Sequence, residues 1–348
     1  MTPGSPLVSI VTPVYNGGKY LAECLESVLA QTYDHWDYTI VNNCSTDKTL
    51  EIAERYARGD QRIRVLTNSH FVNAIANHNN AFRQISPRSV YCKLISADDW
   101  IYPECIEKLV ELAERNPTVG IVQCYAINRY GVRWTGIPYD AIVLRGCEVG
   151  RLYLLGKMEF ASIPSSILYR SSLVRSRDPF FPGNNASSDA AACLDSLQAC
   201  DFGMVHQILS FQRFHDETET ATALKLDSYL VDRLGMLLKY GPVFLTAQEL
   251  DDRLEEMLQD YFTVLAARAV NYRSMAYWKY HKARLAELGF SLYGKRFAKA
   301  LSLKLLDLAL NPKQTVERIL KRASEGEQLN RIFEPMSVAQ ESKTSVLP

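Results

Sequence analysis

The chain has 348 residues, 47% hydrophobic and 22% charged, a balance that suits a globular catalytic domain with an appendage. Lys and Arg number 39, as do Asp and Glu, so the formal net charge is zero. That excludes a general nucleic-acid binder, whose phosphate contacts need a basic excess.

The eight cysteines contain no C-x-x-C pair, so zinc-ribbon and thioredoxin spacings are absent. Most lie in apolar surroundings and read as core residues of a protein in a reducing compartment. Met1 to Pro6 carries no basic stretch, and no apolar run is long enough to span a bilayer. The expectation is a cytoplasmic protein.

Leu7 to Val14 predicts a first strand that stops at Pro13, followed by a turn at Tyr15-Asn16-Gly17-Gly18. Tyr20, Leu21, Cys24, Leu25, Val28 and Leu29 then recur at helical spacing. Tyr38 to Val41 predicts a second strand, ending at Asn42-Asn43-Cys44-Ser45. Leu50, Ile52, Ala53, Tyr56 and Ala57 mark a helix that Gly59 stops. Arg62 to Leu66 is a third strand, and Asn73 to Ile85 a third helix. Strands alternating with helices predict a doubly wound, mostly parallel sheet. There is no G-x-G-x-x-G and no G-x-x-x-x-G-K-[ST], so phosphates must be handled by other means.

The fourth strand, Val90 to Ile95, runs into Ser96-Ala97-Asp98-Asp99, and Pro103 suits the first turn of the next helix. Open α/β sheets bind ligands outside the carboxyl ends of their strands. Adjacent carboxylates repel and are costly to desolvate, so a positive group belongs beside them. A hard divalent cation bridging to phosphates is the simplest candidate. The alternative is a helix cap at Asp98 with Asp99 solvated.

Val119 to Tyr125 predicts a strand, 126–146 extended segments and turns, and Ser165 to Arg170 another strand. A helix capped by Ser188 carries Asp189, Cys193, Leu194 and Leu197, and Gly203 to Phe214 closes the pattern. From about Leu224 to Lys321 the period is helical, with breaks at Gly241-Pro242, Gly289, Gly294 and Asn311-Pro312. The tail after Ser324 is polar.

Three landmarks coincide. Val8-Ser9-Ile10-Val11-Thr12-Pro13-Val14-Tyr15-Asn16 resembles the opening strand of family 2 glycosyltransferases with the GT-A fold. Asn42-Asn43-Cys44-Ser45-Thr46-Asp47 resembles their Asp-Asp-Gly-Ser-Thr-Asp motif, and Ser96-Ala97-Asp98-Asp99 their metal motif. The resemblance covers roughly residues 5–216. It implies a GT-A catalytic domain over 1–216 and an α-helical region over 217–348. The implied activity moves a sugar from a nucleotide-diphospho-sugar to a hydroxyl acceptor, with inversion, in polysaccharide or glycan assembly. Mg²⁺ or Mn²⁺ is the implied cofactor, and a glycan or lipid-linked molecule the implied acceptor.

Residue by residue, the resemblance places Thr12, Pro13 and Tyr15 along the base and ribose, and Asn43 against the base. Asp98 falls on the ribose or beside the metal, and Asp99 on the metal itself. Asp189 falls where the family keeps its catalytic base, with Asp195 as the spare; a plain first-turn acid is the alternative for Asp189. His215 falls near the diphosphate and metal, or is a surface histidine. Two departures stand out. Asn42 and Asn43 replace the Asp pair; an amide still accepts the N3–H of uracil or thymine, which favours UDP- or dTDP-sugars over GDP-sugars. In Ala76-Asn77-His78-Asn79-Asn80, Asn79 matches the family's third-helix Asn but the usual Arg is missing, and its helix face is a pocket wall or a solvated surface.

The rivals are a sugar nucleotidyltransferase and a non-catalytic nucleotide-sugar-binding or scaffolding protein. The first wants a basic, glycine-rich loop that Asn16-Gly17-Gly18-Lys19 does not supply. Retention of Asp98, Asp99 and Asp189 weighs against the second. Near the end, Lys295, Arg296 and Lys299 share a helix with Phe297, Leu301, Leu305 and Leu308. That pattern fits a peripheral contact at the inner face of a membrane, or packing in its own bundle or a homodimer.

Overall fold

The computed structural model describes residues 4–133, 137–160, 163–183, 187–214, 223–271 and 273–311. Among them ten strands form one sheet, ordered β3-β2-β1-β4-β9-β6-β10-β5 along its path. The parallel strands are β1 (Val8–Val14), β2 (Trp36–Asn42), β3 (Ile63–Thr67), β4 (Tyr91–Leu94), β6 (Val119–Asn128) and β10 (Asp201–Phe211). Between them β9 (Ile167–Arg170) runs antiparallel to both β4 and β6. Three short antiparallel strands complete the sheet: β5 (Trp100–Ile101) and β8 (Val143–Leu144) on β10, and β7 (Gly131–Arg133) on β6. The carboxyl ends of β1, β2, β3, β4, β6 and β10 therefore share one edge. The start of β9 lies at that same edge.

Alternation along the strands builds a core on each face. Val8, Ile10 and Val14 of β1 enter one cluster with Leu21, Cys24, Leu25 and Val28 of α1 (Leu21–Leu29). Val11 enters the other, with Ala81 and Phe82 of α3 (Ala74–Phe82). The helices α2 (Thr49–Gly59) and α4 (Cys105–Arg115) follow β2 and β5 as the periodicity predicts.

Pro13 does not end β1; it is paired in register with Val41. The partner on the other side, β4, reaches only to Val11 opposite Leu94. Past that point β1 has one neighbour, and proline is tolerated on such a locally open edge.

The helix α5 (Gly146–Leu154) was not expected from the sequence, nor was α6 (Ser171–Arg175). Glycines at 146 and 150 lower helix propensity, but both are needed for packing. A Cβ at Gly146 would lie 2.0 Å from the Cys200 carbonyl oxygen, and one at Gly150 would lie 2.5 Å from the Phe244 ring. The helix α7 (Ser188–Leu197) begins at Ser188, so Ser187 and not Ser188 precedes it as the cap position.

Among the described residues the long helices that follow are α8 (Ser228–Phe244), α9 (Ala247–Ala269), α10 (Met275–Glu287) and α11 (Lys295–Leu310). The expected break at Gly241-Pro242 is instead the last turn of α8, which ends two residues later. At one end of α8, Val231 and Leu234 join a helical cluster with Leu258, Tyr261, Phe262 and Leu265. At the other, Met236, Leu237, Tyr240 and Phe244 enter the core beneath the sheet. This helix splices the two regions. Phe297 of α11 packs on the helical cluster, while Leu303, Leu305, Leu306 and Leu310 stay exposed. No described helix is long and apolar enough to cross a membrane.

Candidate active site

The shared edge is where β4 ends and the acidic pair begins. The chain turns there, with the Asp99 N–H donating to the Ser96 carbonyl at 3.0 Å. Asp99 is 4% exposed. Its Oδ2 accepts from the Ser165 hydroxyl at 2.6 Å, and its Oδ1 from the Arg213 N–H at 3.0 Å. Burial, and next the charge of Asp98, push the Asp99 carboxyl well above the usual carboxylate range; the Ser165 and Arg213 hydrogen bonds pull weakly the other way. Asp98 is half-buried, and α4 begins only at Cys105 with Glu104 as its cap position. The capping alternative therefore fails. A buried carboxylate beside a half-buried one remains at a ligand-binding edge, in an environment that favours a cation.

Arg213 braces this turn. Its Nε donates to the Asp98 carbonyl at 3.1 Å, and its guanidinium pairs with Glu23 and lies over the rings of Tyr20 and Trp100. The sequence reading missed both Ser165 and Arg213. Arg213 had a signal, since it stands two residues before His215; Ser165 had none.

A divalent cation fits the donors at hand. Carboxylate oxygens are hard ligands, and Mg²⁺ commonly takes only one or two of them, with water and substrate phosphates completing the shell. Among the described residues no group of three His, Cys, Asp or Glu could hold a metal ion alone. His215 lies outside the described residues.

Asn43 and Asn79 are both buried, with their amides bonded to the main chain. Asn43 is 2% exposed, and its amide closes on one peptide. Nδ2 donates to the Val72 carbonyl at 2.7 Å, and Oδ1 accepts the Val72 N–H at 3.0 Å and Asn68 Nδ2 at 2.9 Å. Asn79 does the same to Phe181, donating to its carbonyl at 3.0 Å and accepting its N–H at 2.8 Å. Each amide holds a loop as a backbone strand partner would. Asn68 links this group further, donating to Asn77 and accepting from Asn80. Cys44 sits where the family motif has glycine and has φ 58°, in the left-handed region where a Cβ is strained.

Thr12 is fully buried; its hydroxyl donates to the Ile95 carbonyl at 2.9 Å and lies 2.8 Å from the Tyr38 hydroxyl. Its side chain belongs to the core, as does that of Pro13, also buried. Tyr15 is different. It is half exposed just past β1, and its ring meets that of Phe71 edge-on at 4.8 Å. Phe71 lies in the loop that Asn43 clamps, so two exposed rings stand together at the carboxyl edge.

Asp189 lies at the start of α7. That helix ends four residues before β10 begins at the opposite edge, so its first turn points back toward the carboxyl edge. Asp189 is half-buried, and desolvation pushes its carboxyl up to about 7, against main-chain hydrogen bonds from Ala190 and its own N–H. Asp195, the spare, is paired with Arg177 at 3.2 Å on the side of the helix. The loop leading to α7 passes through Phe181, held by Asn79 and stacked on Phe82. Asn79→Ala would take this partner from both the N–H and the carbonyl of buried Phe181. A loss of about 1–3 kcal/mol in chemical denaturation is expected, and a stability equal to wild type would show that the clamp is dispensable.

Residues 9–177 match the model of glycosyl transferase family 2. A putative teichuronic acid biosynthesis glycosyltransferase, TuaG of Bacillus subtilis, is 36% identical over 32% of this chain and 43% of its own length. YibD of Escherichia coli, an uncharacterized glycosyltransferase, is 29% identical over 51% of this chain and 52% of its own. The chain thus spans about half the length of these curated relatives, or less. Among solved structures, S. aureus TarS 1-349 in complex with UDP-GlcNAc superposes with a TM-score of 0.56 at 19% identity, over 74% of this chain and 72% of that 1-349 chain. A mannosyltransferase from Pyrobaculum calidifontis, in complex with GDP-Man and Mn²⁺, gives 0.54 at 16% identity, over 89% and 87%. At these identities the likeness shows a shared fold, the GT-A-like arrangement. The family match runs from β1 through the acid turn to α6, so it contains both Asp99 and Ser165, while Asp189, β10 and Arg213 lie beyond it. On that ground residues 9–177 form a glycosyl transferase family 2 region.

Proposed function

We propose that this chain transfers a sugar from a nucleotide-diphospho-sugar to a hydroxyl acceptor, with inversion and with Mg²⁺ or Mn²⁺, in the assembly of a polysaccharide or glycan. The observation that carries this reading is the buried Asp99 carboxylate beside Asp98 at the carboxyl edge, within the stretch matched by the family. Asp99, with Asp98 next to it, would hold the cation. When bound, the cation supplies positive charge to the departing diphosphate. Tyr15 and Phe71 offer ring faces for the base. Asp189, with a carboxyl near 7, takes the proton of the acceptor hydroxyl as that oxygen attacks the anomeric carbon. An aspartate held at that value is ionised about half the time at neutral pH, which suits proton abstraction better than a fully ionised surface acid would.

Stacking on two rings does not choose among bases, and the amide of Asn43 is committed to Val72. The test is therefore a panel of UDP-, dTDP- and GDP-sugars, assayed for nucleotide release and glycoside formation with Mn²⁺ and with EDTA. Turnover that requires the cation, with an inverted anomeric product, is the expected result. Tight nucleotide-sugar binding without turnover on any acceptor would favour the non-catalytic reading.

A further inference from the structure

Lys93 is fully buried, yet it carries an ammonium group. Its Nζ donates to the main-chain carbonyls of Ser165 at 2.6 Å and Ile167 at 3.2 Å. Among the described residues no carboxylate forms an ion pair with it. Burying an ammonium without a counter-charge costs several kcal/mol after relaxation, and a methionine would fill the same space without that cost. The charge falls on the short 3₁₀ turn Pro164–Ser166 and the first residue of β9, and it also acts on the buried Cys105 and Cys124 thiols.

Ser165, in that turn, is also fully buried. Its hydroxyl accepts the Ser96 N–H at 3.0 Å and donates to Asp99 Oδ2 at 2.6 Å. A serine hydroxyl has one proton, and with Ser96 on its lone pair that proton is aimed at Asp99. The acid turn is thereby tied at both Ser96 and Asp99 to the Ser165 hydroxyl, and the main-chain carbonyl of Ser165 is tied to Lys93. Lys93 does not touch the carboxylate, so its action on Asp99 is one of placement.

We propose that Lys93 and Ser165 form a positioning relay that orients the Asp99 carboxylate for a divalent cation and its bound diphosphate. Ser165 and the Arg213 N–H each occupy one lone pair, one on each oxygen, and the remaining lone pairs serve the cation. This rests on the reading of Asp99 as the cation ligand given above.

The test follows free Mn²⁺ by electron paramagnetic resonance as the full-length protein is titrated in the presence of UDP, dTDP or GDP. Ser165→Ala and Lys93→Met should each weaken nucleotide-dependent Mn²⁺ binding by about tenfold or more, as loss of a ligand-orienting partner does. Because both act through one path, the double variant should lose no more than the worse single variant. Ser165→Ala removes one oxygen atom and keeps the turn, so it carries the test if Lys93→Met does not fold. Asp99→Asn is the reference. If it loses Mn²⁺ while folded Ser165→Ala and Lys93→Met bind like wild type, or if the two losses multiply, the relay is wrong and the cation reading stands. If Asp99→Asn itself binds normally, the cation reading falls and the relay with it.

Discussion

Asp99→Asn is expected to abolish Mn²⁺-dependent nucleotide binding and, at neutral pH, to raise the melting temperature of the ligand-free protein. The two effects have one cause. Burial is the largest influence on this carboxyl and raises it well above its ordinary range, with Asp98 adding to the shift. The folded chain thus binds this proton more tightly than the unfolded chain does. The stability Asp99 contributes is full below the unfolded pKa and is lost as pH rises through the folded one. At neutral pH, above the unfolded value, the wild type has lost part of it, whereas a neutral amide never carries the charge. An amide also forfeits one of the two hydrogen bonds from Ser165 and Arg213, but those are smaller influences than desolvation. Thermal unfolding in EDTA should show a gain for Asp99→Asn that grows from acid to alkaline buffer. Mn²⁺ with nucleotide should then stabilise the wild type and not the variant. A variant that melts lower than wild type in alkaline buffer, or that Mn²⁺ and nucleotide still stabilise, would contradict this account.

Asp189→Asn should keep nucleotide-sugar binding and lower kcat by about 10²-fold or more, the usual worth of a general base. A base must be ionised to act. With its carboxyl near 7, wild-type turnover should fall as pH drops through about 7, and the variant's residual rate should lack that limb. The groups that feel this charge are Tyr153, Tyr169 and Cys193, and burial pushes each of them up, so all stay protonated across the limb. None of these three contributes to the limb, and its loss in Asp189→Asn is what assigns it to Asp189. Rate profiles of kcat against pH for both forms decide it. An unchanged kcat, or a variant that keeps the limb, would place the base elsewhere; Asp195, held by Arg177, is poorly placed to inherit the role.

Much of the sheet was legible because its information is local. β1 to β4 each show an apolar run followed by a helical period, and these patterns survive folding because both faces of the sheet are covered. The acid pair was legible for the same reason: a strand end followed by a helix start puts Asp98 and Asp99 at the ligand edge whatever else the chain does. Asp189 at a helix start was likewise a local reading. Element type failed where packing overrode propensity, at α5, whose glycines admit Cys200 and Phe244, and at Pro13, whose open side exists only because β4 is short.

By itself, then, the sequence determined the alternation of strands and helices, the family motifs and the two carboxylate positions, all properties of neighbours along the chain. Only the tertiary structure decided what those groups are bonded to. Ser165 and Arg213 reach Asp99 across 66 and 114 residues, and no periodicity records such a meeting. The amides of Asn43 and Asn79 could serve a ligand or a loop with the same donor and acceptor, and the main chain of half-buried Val72 in one case and of buried Phe181 in the other took them. An unpaired peptide group is too costly to leave in a core. Long-range polar partners are chosen by that cost once the chain has folded, which is why the positions of the acids could be read in advance and their supports could not.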